Sequence, residues 1–207
     1  VYVRIITRIV RLLFSPAKEW AVIDSEKASV TSLYIGYAAP LALIPATAFV
    51  AMNFLMWELM KYDTQLTELL AELSFIAGVS YLLALAVPYV FALIVNVKVS
   101  LFCGQPSFVQ ALKTAVYSVT PVWLASALAM IPKLGFLVVP VGIAAVIYSL
   151  VLLWFGLATL MKVPKKTRIG FFISALCSVV VLGFVVIFTL SAVGSMYMFP
   201  FEVPDSE

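Results

Sequence analysis

LGFLVVPVGIAAVIYSLVLLWFGLATLM, residues 134–161, runs for 28 residues between Lys133 and Lys162 without one full charge. A helix needs about 20 predominantly apolar residues, at roughly 1.5 Å each, to cross a hydrocarbon core about 30 Å thick. This stretch is long enough to cross, and an internal ladder of backbone hydrogen bonds makes the crossing tolerable in a medium without water. Four further uncharged intervals flank it: 30 residues from Lys27 to Glu58, 25 from Glu72 to Lys98, 19 from Lys113 to Lys133 and 33 from Arg168 to Glu202. The pattern predicts an all-α, polytopic transmembrane bundle of about five spans, near residues 33–56, 73–95, 111–131, 136–161 and 169–193. The third is the weakest, being short and holding Pro121 midway, and could instead form a hairpin with the fourth through Pro132-Lys133-Leu134-Gly135.

Composition agrees. The 207 residues are 64% hydrophobic and 11% charged, with a mean hydropathy of +1.14, whereas a soluble domain carries about 25% charged residues. Two cysteines are too few for a disulfide scaffold, and the lack of histidine removes the commonest metal ligand. No cofactor or metal is expected. The N-terminus lacks a short apolar core followed by a small-residue cleavage site, so the first span is expected to be uncleaved.

Five crossings with a cytoplasmic N-terminus place Arg4, Arg8, Arg11, Lys18, Lys27, Lys98, Lys113, Lys162, Lys165, Lys166 and Arg168 inside, against Lys61 and Lys133 outside. That asymmetry satisfies the positive-inside rule, and removing one crossing would move the Lys162–Arg168 cluster to the wrong side. The C-terminal tail, with Glu202, Asp205 and Glu207, is then expected outside. Trp57, Tyr197, Phe199 and Phe201 fall near outer span ends, where aromatic rings prefer to sit. The organisation read from sequence is an interfacial N-terminal segment (1–30), a transmembrane domain (31–195) and a short acidic tail (196–207).

Within the first segment, Arg4, Thr7, Arg8 and Arg11 share about 100° of a helix while Val, Ile, Leu and Phe cover the rest. Such a helix lies in the membrane interface with its arginines among anionic headgroups of the cytoplasmic leaflet; alternatively, it packs on the bundle with its arginines solvated. Ser15 as N-cap and Pro16 at the first helical position open a second helix through Trp20. The membrane-surface residues expected here are Arg4, Arg8, Arg11 and Trp20.

Three stretches resemble the bacterial Yip-domain family, relatives of eukaryotic Ypt/Rab-interacting membrane proteins. They are Leu12-Leu13-Phe14-Ser15-Pro16-Ala17-Lys18-Glu19-Trp20; Phe102-Cys103-Gly104-Gln105-Pro106 continuing to Thr120-Pro121; and Tyr148 through Gly156-Leu157 to the basic run Lys162-Val163-Pro164-Lys165-Lys166. Cys103 stands where glycine is commoner in that family, and the eukaryotic D-L-Y-G-P signature is absent. The resemblance implies five spans and a bacterial inner membrane, and it marks Ser15, Pro16, Trp20, Phe102, Gly104, Gln105, Pro121 and Gly156 as family positions.

Chemistry is sparse. Glu72, at the outer start of the second span, is the one acidic candidate for an ion or proton site, and a carboxylate in a first helical turn is also simply favoured by the helix dipole. Lys98 is expected to snorkel. Pro40, Pro45, Pro88, Pro121 and Pro140 should kink the spans, while Asn53, Ser80, Tyr81, Asn96, Thr114, Ser118, Thr120 and Tyr148 should hydrogen-bond between helices. No nucleophile sits with a base, and no glycine-rich phosphate loop occurs. The basic cluster is too short for nucleic acid. The function expected is that of a non-enzymatic membrane protein acting on lipid, on another membrane protein or on a second copy of itself, as scaffold, accessory subunit or membrane organiser. The alternative is a small channel or transporter.

Overall fold

The computed structural model describes residues 2–60 and 66–198, and the regular elements among them are all helical. Two short helices come first, α1 (Tyr2–Phe14) and α2 (Pro16–Ser25). A short helix α3 (Val30–Leu33) passes through a π-turn at Tyr34–Ala38 into α4 (Ala39–Met60), followed by α5 (Leu66–Lys98), α6 (Phe108–Ser126), α7 (Gly135–Leu160) and α8 (Lys165–Met198). Four segments are long and apolar enough to cross a membrane: Val30–Leu55, Leu70–Phe102, Gly135–Leu160 and Arg168–Ala192. They coincide with four of the predicted spans.

The predicted third span corresponds to α6, which differs from the rest. It is the most enclosed helix of the bundle, buried almost continuously from Ala111 to Ser118 and packed against α4, α5 and α7. A helix ringed by protein can be shorter and more polar than one facing lipid, because its neighbours satisfy its side chains. Lys113 and Thr120 are accommodated in this way, each with partners on another element. A 3-10 turn at Ala127–Met130 prolongs α6 before the chain reverses into α7.

Pro45, Pro88, Pro121 and Pro140 lie inside continuing helices. Pro40 is different, since the preceding turn is widened and the Ala39 N–H donates to the Tyr34 carbonyl five residues back. A proline has no N–H for the carbonyl four residues earlier and its ring crowds that carbonyl, so a widened turn is where the ladder gives way. α8 leans on α5, and α7 on α6, whereas α7 and α8 scarcely touch.

The N-terminal helices dock on this bundle, α2 along α7 and α1 beside α6. Ile5, Leu12, Trp20 and Ile23 join the core cluster with Leu112, Val116, Leu152 and Leu157. Pro16 opens α2 as expected, but Ser15 makes no side-chain capping bond; its backbone carbonyl accepts from Glu19 N–H at 3.1 Å instead. The expected outer aromatic positions Trp57, Tyr197, Phe199 and Phe201 and the acidic tail lie outside the described residues and side chains.

Candidate functional site

Docking of α1 and α2 brings together charges that are far apart in sequence. Arg8 donates through Nη1 to Glu19 Oε1 and through Nη2 to Glu26 Oε1, so one guanidinium bridges α1, α2 and the turn after α2. Its carbon Cζ also lies 5.7 Å from the centre of the Tyr117 ring on α6, within cation–π range. Burial alone would lower the pKa of Arg8, but the hydrogen bond to Glu26 and the neighbouring carboxylates hold it above the ordinary arginine value. The charge is permanent, and both ends of its fork are committed.

Lys113 completes the junction. Its Nζ donates to the carbonyls of Ile23 at 2.8 Å and Glu26 at 2.7 Å. The last carbonyls of a helix lack intrahelical donors and carry the negative end of its dipole, so a buried ammonium finds there both acceptors and favourable potential. Gln110 Nε2 donates to Asp24 Oδ1 at 3.2 Å beside it. At the other end, the Tyr148 hydroxyl of α7 reaches the terminal carbonyls of α1, Leu12 at 3.1 Å and Leu13 at 2.7 Å. Tyr37 and Thr120 share a hydrogen bond at 3.0 Å under the Tyr117 ring. A cleft of about 300 Å³ opens next to Arg8, Ser32, Tyr37 and Tyr117.

Apolar packing fixes the same junction. Trp20 is fully buried, edge-on to Tyr117 at 6.2 Å. A Cβ at Gly156 would stand 2.8 Å from Thr114 Cγ2 and 2.9 Å from Trp20 Cη2, so glycine is what lets α2 and α6 approach α7. Gly104 is similar, since a Cβ there would meet the Met161 carbonyl oxygen at 2.8 Å; the Gln105 N–H donates to that oxygen at 2.9 Å. Cys103, just before it, has φ = 59°, a left-handed conformation that explains why glycine suits this position. Phe102 packs on Phe171 at 5.3 Å, and its carbonyl accepts from the Thr167 hydroxyl at 2.7 Å. Pro121 is buried within α6, whereas Gln105 is exposed.

Of the four residues expected at the membrane surface, two turn inward. Trp20 is enclosed because its indole fills the space left by Gly156, and Arg8 faces the bundle because two carboxylates wait there. Arg11 is exposed, and the side chain of Arg4 lies outside the described part. On the outer side of α1, Ile6, Val10 and Phe14 are 62%, 47% and 81% exposed. Spaced four residues apart, they form one apolar stripe beside Arg11.

Other expectations divide. Lys98, expected to snorkel, turns toward α8, where its Nζ donates to Ser178 Oγ at 2.9 Å. Tyr81, Thr120 and Tyr148 do bridge elements, while Asn53 and Thr114 bond back to their own helices. Glu72 is half-buried on α5, and the ion pairs among the described residues are those of Arg8. Glu19, Glu26, Tyr37 and Tyr117 were not singled out from sequence. The available signal was Glu19, Asp24 and Glu26 following a basic helix, which a count of positive charge alone passes over. Among the described residues no group of three or more Cys, Asp or Glu side chains could hold a metal ion.

Neither the curated proteins nor the solved structures include a significant match to this chain. A family model described as Yip1 domain matches residues 10–188, which takes in the docked α2, the Phe102–Gln105 turn, Gly156, the first three long apolar segments and most of the fourth. That match covers most of the length of a helical membrane bundle, and the chain belongs to the Yip1 family.

Proposed function

We propose that this Yip1-family membrane protein is non-enzymatic and works at the cytoplasmic surface of a bacterial inner membrane, where α1 is the lipid-contacting element. The observation that carries the reading is the two-sided character of α1. Its inner side, Ile5, Arg8 and Leu12, is clamped to the bundle, and its outer side presents Ile6, Val10 and Phe14 beside Arg11. A docked apolar stripe next to a cationic side chain suits the boundary between headgroups and acyl chains, with Arg11 favouring anionic lipid. Clamping removes the ordering cost a free amphipathic peptide incurs on binding. The N-terminus then lies in the cytoplasm and the C-terminus across the membrane, in line with the lysine and arginine distribution.

A test uses the full chain with Cys103 and Cys177 replaced by Ser and one cysteine introduced at Val10 or at Arg11, each labelled with a fluorophore and reconstituted. Brominated acyl chains should quench the label at position 10 strongly and the label at position 11 weakly, more so in anionic than in zwitterionic bilayers. Equal quenching at both sites, or none, would sink the interfacial reading. Solute flux by the reconstituted protein that is lost on Glu72→Gln or Pro88→Ala would instead favour a small channel or transporter.

A further inference from the structure

A second cavity, of about 260 Å³, lies inside the bundle among α5, α6, α7 and α8. Its walls are apolar, with Pro88 and Phe91 from α5, Val119 from α6, Leu150 from α7 and Leu182 from α8. Two hydroxyls also line it, Ser118 and Ser149. Ser118 is 6% exposed, and the Oγ atoms of both serines are buried without a hydrogen-bond partner.

That is unusual for a helical serine, which ordinarily bonds back to the carbonyl three or four residues earlier. Ser74, Thr114, Ser178 and Thr189 of this same chain do so. The hydroxyls facing the cavity are thus donors and acceptors without a mate, in a space too apolar to hold water well.

The cavity opens sideways. α7 and α8 scarcely touch, and Val146 and Val179, which border the cavity on either side of that gap, are both exposed. Further along, Trp154 and Phe172 close the gap with an edge-on ring contact at 5.3 Å. All four α7 and α8 residues belong to segments able to span the membrane, so what reaches the opening comes from lipid. Among the described residues no charged side chain lines the cavity, so a charged headgroup would be stranded there.

The geometry points to a binding site for a neutral membrane-dissolved lipophile that carries a carbonyl or hydroxyl oxygen: the apolar body fills the cavity and the oxygen meets Ser118 and Ser149. Each neutral hydrogen bond contributes modestly, and two together correspond to about a tenfold change in affinity.

The experiment uses the full chain in phospholipid nanodiscs with two photoreactive probes, a long-chain alcohol and an alkane of equal length, each bearing a diazirine. The alcohol should label residues around Phe91, Val146 and Val179, and a long-chain ketone should compete with it. Ser118→Ala with Ser149→Ala should reduce alcohol labelling about tenfold and leave alkane labelling unchanged, and Val122→Phe, which fills the cavity, should abolish both. Thermal unfolding of each variant shows that it is folded. Labelling confined to the outer helix faces, or alcohol labelling that is indifferent to both serine changes, would overturn the assignment.

Discussion

Replacing Arg8 by Met is the perturbation that most directly tests the junction between the N-terminal helices and the bundle. Met keeps much of the aliphatic length and can still lie against Tyr117, so the loss is chiefly electrostatic. It strands Glu19, whose side chain is 5% exposed, and Glu26, whose side chain is 40% exposed. Removing one partner of a buried pair costs about 3–5 kcal/mol, whereas a solvent-screened pair contributes only about 0–1 kcal/mol. Glu19 belongs to the first case and Glu26 to the second. Arg8 itself retains some exposure, at 17%, so a net destabilisation of about 2–4 kcal/mol is expected, most of it from the uncompensated Glu19. Glu19→Gln keeps the shape and removes the charge. The double variant should therefore be less damaged than the two single effects predict, with a coupling energy of at least about 1 kcal/mol. The assay is equilibrium unfolding of the purified chain in mixed micelles, followed by tryptophan emission, to which Trp20 contributes from within the junction. An Arg8→Met variant within about 0.5 kcal/mol of the parent, or additive single and double variants, would refute the reasoning.

Gly156→Ala should destabilise by about 1–3 kcal/mol through overpacking against Trp20 and Thr114; Gly183→Ala, where nothing lies within 4 Å, should be neutral or stabilising in the same unfolding assay. Cys103→Gly should raise the unfolding temperature or leave it unchanged, because it relieves a left-handed conformation, while Gly104→Ala, one residue on, should lower it by forcing a Cβ against the Met161 carbonyl. Reporter fusions after Gly104 and after Pro164 should locate to the cytoplasm, and one after Gly135 to the opposite side; any other pattern contradicts the positive-inside orientation.

The uncharged intervals settle solvent and fold class by themselves, because lipid imposes a length and a polarity that can be read residue by residue. Pro16 at the start of α2, the α7 segment and the spacing of the long helices follow from that local logic. Local reading also identifies Gly104 and Gly156 as special positions, through resemblance, without saying why; the reason is a Met161 carbonyl in one case and a tryptophan from another helix in the other.

What sequence cannot give is the destination of a side chain that has two acceptable surroundings. An arginine on an amphipathic helix is equally at home among headgroups or carboxylates. Only the docking of α1 beside Glu19 and Glu26 assigns Arg8 to the second, while Arg11 stays exposed. Likewise Lys113 reads as one more cytoplasmic charge until α6 is seen at the centre of the bundle, where the spent end of α2 supplies its acceptors. Hydropathy is a property of one segment and survives in the sequence; the pairing of polar groups is a property of neighbours some 90 residues apart, as Lys113 and Ile23 are, and comes into being only when the helices pack.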